Sequence, residues 1–291
     1  MSLTRQFPLN TVLFESSWCL IGLWNCLPTD PLWNQENVIG CKPVIAIPWT
    51  SLVIDRASLR NEVVDPNSVV YYRAGEPYKR RLISPRGDLC VFINPSEELL
   101  NEALEEAQLP TPAEAFPFSA GPAVSDVTRA QHELSRSLLR RPAQSAIEIE
   151  SALTEIVRTL VVAAGRHTHR PRALPSKATQ RAHRELIQNT KSALALFLED
   201  PASTNRFGIE ELARRVHASP YHLCRIFKRD VGMTIGQYWM RLRLRTAAER
   251  LVWSDHTITS IAHDLGFSSH AHFTSSWSNE FGSPPSALRH A

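Results

Sequence analysis

The chain has 291 residues and a formal net charge of +3, so it is close to neutral for its size and long enough for two domains. Its N-terminus lacks the basic, apolar and small-residue order of a secretion signal, and no apolar run approaches membrane-spanning length. The cytosol is the expected compartment, where the five cysteines stay reduced.

The first hundred residues read as strands. PVIAIPWTSLVID, EVVDPNSVVYYR and GDLCVFINP are β-branched and aromatic runs, separated by turn signals at Asp65-Pro66-Asn67 and at Pro85-Arg86-Gly87-Asp88. A small antiparallel barrel or sandwich is expected. Beyond Pro110, two helical patterns follow, Val127, Ala130, Leu134 and Leu138, then Ile149, Leu153, Ile156 and Leu160. Pro142 divides them, which predicts a folded-back helix pair. The basic segment Arg166 to Ala178 has no apolar period and reads as an interdomain linker. A helix over Leu186 to Glu199 then opens a second domain. This gives residues 1–165 as an N-terminal sensor or dimerisation domain, 166–178 as linker and 179–291 as the C-terminal domain.

Two features of the first part bear on ligands. Trp18, Trp24, Trp33 and Trp49, with Tyr71 and Tyr72, can line an apolar pocket or simply form the core of a small β domain. Arg73, Lys79, Arg80 and Arg81 can meet an anionic effector or form a solvated strand edge.

The last hundred or so residues carry a helix-turn-helix pattern twice. In the first copy, Gly208 to Gly232, Glu211 lies near the positive end of a short helix bearing Leu212 and Val216. His217 and Ala218 turn the chain, Ser219 is an N-cap and Pro220 a first helical residue. Leu223, Ile226 and Phe227 share the inner face of the next helix, while Tyr221, Cys224, Arg225 and Lys228 face elsewhere; Gly232 ends it. A helix over TIGQYWMRLRLRTAAERLVW follows, opened by a capping box of Thr234 and Gln237. Its apolar residues change face between Ile235, Tyr238 and Leu242 and Leu244, Ala248 and Leu251, as a helix packed on two bodies requires. In the second copy, Thr257 to Gly282, Thr257 caps and Ile258, Ile261 and Ala262 form the apolar side. Ser268 or Ser269 caps the next helix, with Phe273, Trp277 and Phe281 as its buried stripe. His270, Ala271, His272, Thr274 and Ser275 are the outward candidates.

From Leu186 to Arg289 the chain resembles the AraC/XylS transcription regulators. The resemblance includes the run from Leu212 to Lys228, Gly232, Tyr238, Arg243-Leu244, Ala248, Ile261-Ala262, Gly266-Phe267, His272-Phe273 and Gly282-Ser283-Pro284 with Arg289. It implies a non-enzymatic, sequence-specific regulator of α+β class, in which each recognition helix enters a major groove, the two grooves about 34 Å apart on one face of promoter DNA. RNA polymerase and a second copy of the chain are further candidate partners, and the nucleoid is the place of action. By position, Tyr221, Cys224 and Arg225 match the base-facing residues of the first helix, and His270, Ala271, His272 and Thr274 those of the second. Lys228, Arg229 and Ser275 complete the expected DNA-facing set.

This chain departs from the family pattern where Ser275 stands in place of the usual Arg, and where Trp277 and Ser278 replace an aromatic and a basic residue. The second helix is therefore expected to read its half-site more weakly or through water. Leu288 replaces a closing aromatic, a packing change. Between Arg214 and Arg250, nine basic residues stand against Asp230 and Glu249 alone, a run expected to meet phosphate.

The resemblance also implies a cupin-like sensor barrel for the N-terminal domain, with a small-molecule effector. A metal-dependent cupin enzyme needs several strand histidines, and none precedes His132. Alkyl transfer on a zinc-held cysteine is the other alternative; Cys19, Cys26 and Cys41 are spaced too widely for the short pairs of a tetrahedral zinc site, so no metal or cofactor is expected. A DNA-binding regulator without an effector is the remaining reading.

Overall fold

The computed structural model describes residues 8–57, 59–111, 116–140, 144–168, 176–200, 204 and 207–290. Pro142 and most of the expected linker lie outside them. The described part is α+β: ten strands in two antiparallel sheets, with a helix between the last two strands and helices from there to the C-terminus. The strands are β1 (Asn10–Glu15), β2 (Cys19–Cys26), β3 (Asn37–Val38), β4 (Val44–Pro48), β5 (Leu52–Arg56), β6 (Leu59–Val64), β7 (Ser68–Tyr72), β8 (Pro77–Leu82), β9 (Asp88–Pro95) and β10 (Ala120–Pro122). One sheet has the order β1-β2-β9-β4-β7-β10 and the other β3-β8-β5-β6. No ladder joins them among the described residues, so the structure is an open sandwich and not the closed barrel that was the other expectation.

Strand parity organises this half. Side chains alternate across a strand, and on the larger sheet Ile21, Leu23, Ile45, Val91 and Ile93 all face helices and are completely buried. The covering helices are α1 (Glu97–Glu106), α2 (Ser125–Arg140) and α3 (Ala146–Thr168). Fully burying such a side chain contributes about 1.5–3 kcal/mol, so this face dominates the stability of the sandwich. The Tyr71 hydroxyl donates to Leu160 O at 2.9 Å, tying β7 to α3. Gly121 of β10 lies so close to α3 that an added Cβ would stand 2.9 Å from that of Ala164. The opposite parity, with Trp24, Ala46, Val70, Tyr72 and Cys90, looks toward the second sheet and lines a cavity of about 350 Å³ between the two.

Helix α1 was missed from the sequence, although its signal is present: Ser96 accepts from Leu99 N at 3.1 Å, with Glu97 and Glu98 in the first turn. Strand β2 was hidden by being buried on both faces, which erases the alternation. In α3, Ile149, Leu153, Ile156 and Leu160 are buried as their spacing requires.

The C-terminal half comprises α4 (Lys177–Glu199), α5 (Ile209–Arg215), α6 (Pro220–Val231), α7 (Ile235–Trp253), α8 (Ile258–Asp264), α9 (His270–Phe281) and α10 (Pro285–His290). Helix α4 begins at Lys177, capped by Ser176, ahead of the expected Leu186. Helix α7 is the pivot. It packs on both helix-turn-helix units and also on the β sandwich, so three bodies surround it and not two. That third contact is polar. Tyr238 donates to Asp65 Oδ2 at 2.5 Å, Arg245 Nη1 to Asn67 Oδ1 at 2.7 Å and Nη2 to Ala123 O at 3.0 Å. Arg86 Nη1 donates to Glu249 Oε2 at 2.8 Å, and Trp253 donates to His132 Nδ1 at 3.4 Å, above Trp49.

Candidate nucleic-acid interface

The first unit is α5, a turn and α6. Gly208 caps α5, and Glu210 and Glu211 occupy its first turn, where carboxylates favour the positive helix end. The turn contains His217 at φ 54°, a left-handed conformation that ends α5 abruptly. Ser219 Oγ then accepts from His222 N at 3.3 Å, Pro220 takes the first helical position, and Gly232 closes α6 at φ 86°. Leu223, Ile226 and Phe227 are all 0% exposed, whereas Tyr221 is 79% exposed. Cys224, Arg225, Lys228 and Arg229 are exposed with it. Arg225 has no ion-pair partner among the described residues. Arg229 differs: it donates to both Asp230 oxygens, at 2.7 and 2.9 Å, and lies 2.6 Å from His183 Nδ1. Its charge is partly spent inside the protein, which lowers its value as a phosphate contact.

The second unit repeats this construction. Thr257 caps α8, and Ser269 Oγ accepts from His272 N at 3.0 Å to start α9, which Gly282 ends at φ 71°. Phe273, Trp277 and Phe281 form the buried stripe, with ring centroids 5.7 and 4.4 Å apart. His270, Ala271, His272 and Ser275 are exposed. Thr274 corrects the outward set: it is half-buried and its Oγ1 is enclosed without a hydrogen-bond partner among the described groups. Its position, one residue after Phe273, turns it along the flank of the stripe. The His272 ring is held by Ser268 Oγ at 3.0 Å and packs edge-on to Phe267. It is a positioned ring, and no ion pair among the described residues involves the outward face of α9.

The basic run corrects a second expectation. Of the arginines that seemed to face phosphate, Arg243 is 7% exposed and Arg245 3%. Arg243 donates to Gly266 O at 2.9 Å and lies over the Phe267 ring at 4.3 Å, closing the turn of the second unit. Arg245 is the interdomain contact above. Burial pushes both guanidinium groups down to about 10, still charged at neutral pH. Arg241 pairs with Glu280 at 3.2 Å, and Arg214 and Arg215 both pair with Glu211. The charge left open at the recognition helices is chiefly Arg225 and Lys228.

The N-terminal candidates separate as well. Arg80 does not belong to a solvated edge: it is 4% exposed and pairs with Asp88 at 3.1 Å, while Arg73, Lys79 and Arg81 are exposed. Trp49 and Tyr71 are helix-side core, and Trp24 and Tyr72 line the cavity. Cys19 faces the helices, Cys26 the opposite side of β2, and Cys41 is exposed. Burial pushes the Cys19 and Cys26 thiols up to about 11, away from a reactive thiolate. Sequence reasoning read Asp65, Asn67 and Arg86 only as turn residues and Glu249 only as a countercharge in the basic run, and missed their contacts with each other's elements because the partners lie far away along the chain.

The pattern of a helix-turn-helix domain family matches residues 212–291. The chain is 34% identical over 105 residues to the probable transcription factor PqrA of Proteus vulgaris, covering 36% of this chain and 86% of that protein. It is 46% identical over 68 residues to the HTH-type transcriptional activator RhaS of Pectobacterium carotovorum, covering 23% of this chain; it spans only about a quarter, 24%, of RhaS. Among solved structures, a regulator from Chromobacterium violaceum with an AraC-type DNA-binding domain is similar over 40% of this chain and 95% of that one, at 27% identity and a TM-score of 0.32. With two capped recognition helices on one linker helix and a relative covered over most of its length, the chain belongs to the AraC/XylS family of transcription regulators.

Proposed function

We propose that the chain is a sequence-specific regulator that binds duplex promoter DNA through α6 and α9 and takes a small-molecule effector in its N-terminal half. The observation that carries the DNA reading is the pair of serine-capped helices that bury one stripe each and leave Tyr221, Arg225 and Lys228, and His270 and His272, pointing away from the core. Arg225 is assigned to base edges, where a bidentate guanidinium discriminates guanine by about 1–3 kcal/mol. Lys228 is assigned to phosphate, and α9 to a weaker reading of the second half-site.

The effector reading is supported by connectivity. Strands β7 and β9 line the cavity with Val70, Tyr72, Asp88 and Cys90, and the turns leading into them carry Asn67 and Arg86, which hold α7. A ligand that shifts these strands changes the grip on the helix joining both DNA readers. In this proposal residues 1–165 sense, 166–178 link and 179–291 bind DNA, in the cytosol at the nucleoid. Among the described residues no helix is long and apolar enough to cross a membrane.

Selecting sequences bound by the full chain from random duplex DNA tests this. Two half-sites about one helical turn apart are expected, with a metabolite extract altering affinity for the selected site. Binding without sequence enrichment would overturn the DNA reading, and an extract without effect would favour effector-independent regulation.

A further inference from the structure

The cavity between the sheets falls, at about 350 Å³, in the size range of small-molecule sites, roughly 300–1,000 Å³. Most of its wall is aliphatic, supplied by Leu20, Leu52, Ile54, Val64 and Val70 among others. Asn10, Glu15, Lys42 and Asn94 also border it, and a further polar patch, at Trp24 and Asp88, is explained by strand register. Antiparallel pairing sets Trp24 of β2 opposite Cys90 of β9 and Cys26 opposite Asp88, so Trp24 and Asp88 are diagonal neighbours on the cavity face.

Behind this patch stands Arg80, its side chain 0% exposed, with Nη1 3.1 Å from Asp88 Oδ2. Arg80 is further enclosed by the Trp24, Trp33 and Tyr78 rings, and its Nη2 donates to the Tyr78 hydroxyl at 2.7 Å. The guanidinium is held inside the wall by the ion pair, the rings and the Tyr78 hydroxyl, with Nε and Nη1 completing no hydrogen bond with a described group, and the Asp88 carboxylate is the partner that reaches the cavity surface. The Trp24 indole N–H faces that carboxylate but completes no hydrogen bond of good geometry with a described group, although it is buried. The patch therefore offers one acceptor and one unused donor side by side, with the fixed charges already balanced.

We infer that the cavity takes an uncharged, largely apolar molecule bearing one hydroxyl, a phenol or an alcohol, whose oxygen accepts from Trp24 Nε1 while its hydrogen is donated to Asp88. This rests on the effector reading above and names its chemistry. A hydroxyl both donates and accepts, which the patch requires. An ether leaves the carboxylate without a donor. At this patch, away from Lys42 on the same cavity, an anionic head group brings a second carboxylate against Asp88, where like charges repel strongly.

Titration calorimetry of the full chain with para-butylphenol, its methyl ether para-butylanisole and the anion para-butylbenzoate tests the assignment. The phenol is expected to bind at least about tenfold more tightly than either of the others, the scale of one hydrogen bond to a charged group. Trp24→Phe, which keeps a ring in the wall, is expected to weaken the phenol about tenfold and also to weaken the anisole, whose oxygen can accept from the same N–H. Ala46→Leu, which fills the cavity from β4 away from the charged pair, is expected to abolish binding. Equal affinity for the ether or the benzoate, no binding of any of the three, or a Trp24→Phe protein that binds the phenol as tightly as the unaltered chain overturns the inference. Repeating the titration of selected DNA with and without the phenol separates the two readings: hydroxyl-selective binding that leaves DNA affinity unchanged counts against effector control and for the site chemistry.

Discussion

Helices α6 and α7 are neighbours in the chain and both rich in arginine, yet they use the residue in opposite ways. Arg225 and Lys228 of α6 are exposed, whereas Arg243 and Arg245 of α7 are buried under neighbouring backbone and side-chain acceptors. A guanidinium has five donors in a rigid fork. On an exposed helix face it is available to a base or phosphate, and between packed elements it satisfies orphan carbonyls. Charge density along a sequence does not distinguish the two uses.

The sharpest way to test that contrast is Arg245→Ala. It strips the donor from Asn67 Oδ1 and Ala123 O and leaves a void between α7 and the sandwich. Breaking a buried charged contact of this kind is expected to cost about 3–5 kcal/mol, read by urea unfolding of the full chain; a loss of less than about 1 kcal/mol, the scale of surface charges, would place Arg245 with the exposed arginines.

On the other side of the comparison, Arg225→Ala is expected to leave stability nearly unchanged, weaken specific DNA binding by about 1–3 kcal/mol and relax preference at one base pair. A uniform loss on all sequences would make Arg225 a phosphate contact. Lys228→Ala should give that uniform loss, with a salt slope reduced by about one.

His132 probes the docking face through pH. It is buried against Trp49 and Trp253, and burial pushes its imidazole down from the ordinary value to about 3. The unfolded chain then takes up the proton first as pH falls, so stability is complete above about pH 6.5 and declines below it, by up to about 1.4 kcal/mol per unit toward pH 3. His132→Gln should flatten this slope between pH 7 and 5 in urea unfolding; an unchanged slope would assign the proton uptake to other groups.

The smallest effect is expected at α9. His272→Ala should weaken the outer half-site by about 0.5–1.5 kcal/mol, the worth of a single neutral hydrogen bond, while the inner half-site footprint stays the same. An unaltered footprint and affinity would mean that α9 positions the domain without reading bases.

Much of this architecture was legible in the residues. Ser219-Pro220, Thr234 with Gln237, and Gly232 and Gly282 mark helix ends through contacts within a few residues, and Phe273, Trp277 and Phe281 declare their shared face by spacing alone. The β region was half legible. EVVDPNSVVYYR showed its strands and turn, but CLIGLWNC, buried on both faces, gave no alternation, and PYKRRL concealed a buried Arg80 among exposed basic neighbours. The exposure of Tyr221, Cys224 and Arg225 was legible and that of Thr274 misread, since its position beside the stripe depends on how α9 sits against α8.

By itself, then, the sequence determined the two helix-turn-helix units, their caps and the helix between them, because each rests on local periodicity and on hydrogen bonds closed within one or two turns. The tertiary structure decided which arginines stay exposed, that the sheets form an open sandwich around a cavity, and how that sandwich holds α7. Those outcomes depend on pairs such as Asn67 with Arg245, 178 residues apart, whose meeting is set by packing of whole elements and leaves no periodic trace along the chain.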